Sequence, residues 1–408
     1  MSRRARLAAA LFAAAVAPVA AGCPTHLLLG LQEPTGVWPT FSAGTTAFGP
    51  ALDSPALDSI ADPAVTAWRQ NLAGVKGTSA VTAINNVVGL VNADVQTVAY
   101  SATHVYVKTT GVPSHAVGPF GDGNPAIPTN RNRTVRLPRT PTANAGTKTS
   151  VGLGSIGVMV NGVAFYDSRD ARSYNNQNVW HQNAIYFEAA GFDAAKGHPS
   201  PDMPSQSGTY TSGNYHYHQA PITLLGQIDP GNTGQHHSPI IGFAFDGFPI
   251  YGPYGYANAD GSGGVERITS SYQTRNISQR TTLPDGTVLS AGQYGPSLAT
   301  YPLGAYTEDF SYVASSGDLD QYNGRFAVTP EYPQGTYAYF LTVDAAGNAA
   351  YPYIIGPQYY GVVDTANLGA GSITVPADVT FYVVPEPGAV GVMVVGAMVM
   401  LRRRRASI

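Results

Sequence analysis

Glycine and proline together fill 77 of the 408 positions, 46 and 31 respectively, and no other feature limits the fold so much. Glycine costs backbone entropy inside a helix, and proline removes a helical donor. This density argues against a bundle or a coiled coil. Alternating or apolar runs at 95–107, 240–245, 327–329, 336–343 and 379–384 read as strands. Asn161-Gly162 between two apolar runs is a hairpin signal, and Pro284-Asp285-Gly286 marks a second one. Tyrosine is frequent, at 25 residues, which suits a β surface. The expected fold is mainly β: a large, irregular, antiparallel domain with few short helices. One helix is expected from Pro63, capped by Asp62, through residue 72. Another is expected over 180–190, with His181 and Glu188 two turns apart on one face. Gly152 to Gly157 match G-x-G-x-x-G, but a hairpin follows where a nucleotide site needs a helix.

The formal charge of -3 hides an asymmetry. Seven of the 22 basic residues are Arg3, Arg4, Arg6 and Arg402 to Arg405, while Glu386 is the one acid at the ends. Between the ends 15 basic residues face 24 acidic ones, a net of -9, which argues against nucleic acid as a partner. Arg3 to Arg6, the apolar stretch 7–17 and Val19-Ala20-Ala21 read as a signal peptide over 1–21. The lone cysteine, Cys23, excludes an intrachain disulfide framework. It follows Ala20-Ala21-Gly22, near a lipoprotein box but without the leucine three residues before. At the other end stand Val384-Pro385-Glu386-Pro387, the apolar run 388–401 and four arginines. These three parts in order resemble the PEP-CTERM sorting signal of bacteria that export by the exosortase route. The resemblance implies exosortase-type machinery as a partner, transient membrane association of the C-terminal segment, and delivery to the cell surface or extracellular matrix.

Seven of the nine histidines fall between His115 and His237. The centre is Tyr215-His216-Tyr217-His218. In a strand, alternation sets His216 and His218 on one face and the tyrosines on the other. Two imidazoles so placed can share a metal, but a metal needs further ligands. Gly197-His198-Pro199 reads as a pinned loop, long enough with its neighbours to bring His198 over the same face. The expected ligands are His216, His218 and His198, then His181 and Asp246, and imidazole suits copper or zinc. Binding should weaken as pH falls through the ordinary histidine range near about 6.5. The plainer reading of such a strand is a half-buried hydrogen-bonding stripe. His236-His237 point apart in a strand and are weaker candidates. Arg131, Arg133, Arg136 and Arg139 suggest either a polyanion or glycan site or an edge strand guarded by charge.

Tyr215 to His218, with Trp180-His181-Gln182-Asn183, Gly197-His198-Pro199, 242–253, 320–326 and 329–333, resemble the YHYH domain family. The resemblance covers residues 95–363 and implies an exported module with a His-rich core motif. The chain then divides into a signal peptide (1–21), a variable N-terminal region (22–94), the YHYH domain (95–363), a linker and terminal strand (364–383) and the sorting signal (384–408). Three functions follow as alternatives. The first is a surface protein binding copper or zinc. The second is a structural or adhesive matrix protein without metal. The third is a metal-assisted hydrolase or lyase on an extracellular glycan or ester, with Glu188 or Asp246 as base. Extracellular polysaccharide is the partner the last two suggest.

Overall fold

The computed structural model describes residues 62–122, 126–201, 211–369 and 372–384. The signal peptide, Cys23 and nearly all of the sorting signal lie outside them. The described chain is mainly β, as expected, with helices of at most seven residues.

A nine-stranded sheet carries the core. Its order is Gly197–Pro201, Thr211–Tyr217, Ala164–Phe165, Gly157–Met159, Ile240–Ala244, Pro249–Tyr251, Thr336–Phe340 and Gly324–Ala327, with Ala126–Pro128 also paired to Thr211–Tyr217. The sheet is mixed, where an antiparallel one was expected. Thr211–Tyr217 runs parallel to Ala164–Phe165 and to Ala126–Pro128, and Pro249–Tyr251 runs parallel to Thr336–Phe340. Every residue of Ile240–Ala244 is buried. A strand covered on both faces reads as a continuous apolar run, and this one does. Trp68 packs on Phe243 from one side, ring centres 5.3 Å apart. A second sheet orders Thr380–Tyr382, Val95–Tyr100, His104–Thr109 and Arg133–Pro138, all antiparallel. Arg133–Pro138 is thus an edge strand.

The Asn161-Gly162 hairpin forms as read. Gly162 donates to the Met159 carbonyl at 2.7 Å with φ +78°, while Met159 and Val163 pair across it. That is a three-residue loop whose last position needs the left-handed region that glycine enters freely. At Asp285-Gly286 the turn forms, with Leu283 N donating to Thr287 O and Leu289 N to Thr281 O around the bridge pair Thr282–Val288, but no longer strands extend from it.

Both expected helices are cut short. Asp62 caps Pro63–Thr66 through Ala64 N, but the chain then leaves the helix. Arg69 and Asn71 instead donate to the Val160 and Val95 carbonyls, so sheet pairing outcompetes a second turn. Over 180–190, His181–Asn183 is a strand paired with Arg169–Ser173, followed by one turn at Ala184–Phe187 under an Asn183 cap. His181 and Glu188 therefore share no helix face.

Candidate metal centre

Gly197–Pro201, expected as a loop, is a strand on the sheet edge. Proline cannot donate to a ladder but is tolerated there. Its register sets His198 directly opposite His216. Opposed residues have Cβ atoms roughly 4.5–5.5 Å apart, so the two rings meet. Gly197 makes this pairing close. A Cβ there would lie 2.4 Å from the Tyr215 ring.

Alternation along Thr211–Tyr217 holds. Tyr215 and Tyr217 turn into the core, where Tyr215 donates to Asp193 Oδ2 at 2.8 Å and Tyr217 bonds His115 Nε2 at 2.8 Å. His216 and His218 turn the other way. His216 Nε2 lies 3.0 Å from His198 Nε2 and 3.0 Å from His218 Nε2. One nitrogen from each of the three rings lies within 4.8 Å of the others, and all three residues are buried.

The other ring nitrogens decide what these contacts are. His216 Nδ1 meets the Asn214 carbonyl at 2.9 Å, and His218 Nδ1 meets the Asp167 carbonyl at 2.6 Å. A carbonyl only accepts, so both Nδ1 atoms carry a proton, and in neutral rings both Nε2 atoms present lone pairs. In that neutral state two acceptors 3.0 Å apart repel. His198 Nδ1 is buried with no hydrogen-bond partner. A cation at the convergence point resolves the arrangement, and so does a proton on His218 facing Glu188. Bonds of 2.0–2.1 Å in a tetrahedral site put nitrogens roughly 3.3 Å apart, close to the two contacts of His216, while the three nitrogens together span up to 4.8 Å.

Glu188 is the fourth group. Its Oε2 lies 3.2 Å from His218 Nε2 and 3.7 Å from His198 Nε2, yet it is buried without a properly oriented donor. Burial raises this carboxyl, but the two histidines outweigh that and hold it below its usual range. Burial pushes His198 down to about 4, with His218 adding to the shift, and drives His216 well below the ordinary value. Burial also lowers His218, but the Glu188 carboxylate reverses this and leaves it raised. Asp170 is raised to about 6 by burial, with Glu188 adding like charge. Tyr166 stacks on His216 at 3.8 Å, and Phe192 sets its edge on His198 at 4.8 Å.

Two of the expected ligands lie elsewhere. His181 Nδ1 meets Glu308 Oε1 at 2.6 Å, on the wall of a separate cleft of about 550 Å³ with Tyr272, Phe310 and Tyr312. Asp246 is fully buried in the core, where it accepts from Tyr339 Oη at 2.6 Å and Gly361 N at 2.8 Å. The sequence points to Glu188 as a base and not as a ligand. Its place beside His218 depends on where the single turn Ala184–Phe187 ends. Tyr166 carries no local signal at all.

Residues 134–351 match the family model described as YHYH protein. The chain belongs to the YHYH family. The matched span contains the three histidines, Glu188 and Tyr166, so the centre is built wholly inside the family's domain. No curated protein and no solved structure matches the chain.

Proposed function

We propose that this YHYH protein binds one divalent transition metal, copper or zinc, through His198, His216 and His218. The observation that carries the reading is the pair of Nδ1–carbonyl bonds, which turn the Nε2 atoms of His216 and His218 toward each other at 3.0 Å. Carbonyls holding the far nitrogen are the usual outer partners of metal-binding imidazoles. Glu188 completes a set of three nitrogens and one carboxylate, or stands beside the metal as a base. Its buried, unsatisfied oxygen favours the second reading, a metal-assisted hydrolase or lyase on an extracellular glycan or ester. There the metal supplies Lewis acidity and Glu188 holds the proton. Export to the cell surface is part of the proposal, and the two end segments of the sequence support it.

Elemental analysis of the purified protein after dialysis against zinc or copper tests the reading. About one ion per chain is expected. His216→Ala should abolish retention, whereas His237→Ala should not, because His237 packs among Tyr251, Tyr256 and Phe340. Substoichiometric metal in a folded wild type, or full retention in His216→Ala, sinks it. Loss of hydrolysis in Glu188→Gln with metal retained separates catalysis from binding alone.

A further inference from the structure

The metal centre leaves the cleft of about 550 Å³ beside His181 without a role. Its size falls in the ~300–1,000 Å³ range of small-molecule sites. One wall is a two-stranded ribbon, Tyr272–Thr274 antiparallel to Phe310–Tyr312. Tyr272 lies directly opposite Tyr312, and Phe310 is two residues before Tyr312, so alternation puts all three rings on one ribbon face. Tyr351 packs against that face. Its ring stacks on Phe310 with centres 4.2 Å apart and stands edge-on to Tyr272 at 5.3 Å. Even so, Tyr272, Phe310 and Tyr312 remain half-buried, and all three line the cleft.

The polar groups around this face still have capacity. Tyr272 Oη donates to the Gln321 carbonyl at 2.8 Å, but among the described residues Tyr312 Oη has no partner. Asp285 is exposed on its turn, where Oδ1 accepts from Thr287 N at 2.9 Å and Oδ2 is open. Gln321 donates to Tyr322 Oη at 2.8 Å and keeps its side-chain oxygen open. Glu308 is occupied instead: Oε2 accepts from His181 N at 2.7 Å and Oε1 meets His181 Nδ1 at 2.6 Å. Asp167, Asp285 and Glu308 line the cleft against His181 and one arginine, Arg169, itself paired with Asp167 at 2.6 Å. That balance repels an anion. Open oxygens of three kinds, spread over three segments of chain, call for a ligand with many hydroxyls more than for one with a single charged centre.

We propose that this cleft binds an uncharged saccharide chain. The apolar C–H face of a sugar ring lies on the aromatic face of the ribbon. Its hydroxyls donate to Asp285 Oδ2 and the Gln321 side-chain oxygen, and Tyr312 Oη donates to or accepts from another. The site stands without the metal. Cleft and centre meet at residue 167, whose carbonyl accepts from His218 Nδ1, but none of the three clustered histidines is among the described residues lining the cleft.

Calorimetric titration of chelator-treated and zinc-loaded protein with cellohexaose, maltohexaose, xylohexaose and N-acetylchitohexaose tests this. Oligogalacturonate is the anionic control and choline the cationic one. Saturable binding of at least one neutral oligosaccharide is expected, with the same Kd in both forms of the protein. Tyr312→Ala should raise that Kd about tenfold and Asp285→Ala about threefold. Asp285 sits on an exposed turn, so its variant serves if Tyr312→Ala fails to fold. No saturation by any neutral oligosaccharide overturns the proposal, and so does undiminished binding in both variants. Tighter binding of oligogalacturonate, or saturation by choline in place of a saccharide, overturns it as well. Saturation that needs zinc puts the sugar on the metal and also overturns it. Saccharide binding in a protein that takes up no zinc keeps the cleft and removes the metal reading.

Discussion

At the residue scale the molecule shows how burial assigns opposite roles to similar groups. Asp246 is a fully buried carboxyl, and Glu188 is a half-buried one whose Oε2 is enclosed. Glu188 faces two histidines and stays ionised. Asp246 faces a tyrosine hydroxyl and two backbone amides, and burial outweighs these and raises it to about 6. Asp246 therefore makes a prediction about pH. Its native pKa near 6 exceeds an unfolded value near about 3.9, so the native state holds more protons between those values. Stability from this group falls as pH rises from about 4 to 6, by on the order of 3 kcal/mol. Asp246→Asn should flatten that part of the stability profile measured by urea denaturation. A profile of unchanged slope would contradict it.

At the element scale the Tyr-His-Tyr-His strand has two unlike faces. One holds the histidine centre, and the other is structural. His115 Nδ1 points at its neighbour's carbonyl, so Nε2 accepts from Tyr217 Oη. Tyr217→Phe leaves that acceptor buried and unsatisfied and should cost about 1–3 kcal/mol. Metal stoichiometry should not change, since Tyr217 points away from the centre. Melting and elemental analysis of the same variant check both halves. The faces of this strand were legible from alternation, and so was the turn at Asn161-Gly162. The strand character of Gly197–Pro201 was not. Two prolines in five residues look like a loop until an edge position makes them acceptable.

At the scale of the whole molecule one buried ion pair fastens the segment around 280–309. Arg280 meets Asp309 through two bonds of 2.7 Å, and both side chains are fully buried. Three further donations reach the carbonyls of Pro296, Tyr301 and Pro302. Such a pair adds little over an apolar replacement, but removing one partner strands the other charge. Arg280→Met should destabilise by about 3–5 kcal/mol, read from the urea midpoint. If the single substitution is neutral, the pair is not buried as described. Nothing in the sequence around Arg280 singled it out, because its partner lies 29 residues on and the spacing has no period.

The sequence by itself determined the class of fold, the two faces of the strand at 215–218 and the identity of three histidines that meet. These follow from local rules: glycine and proline density, strand alternation and turn chemistry. Only the tertiary structure decided that His181 belongs to Glu308 and Asp246 to the core, and that Glu188 stands beside His218 and His198. The physical reason is that partners of a buried charge come from distant segments. Asp364 reaches Arg136 across 228 positions, and no local pattern encodes such a meeting.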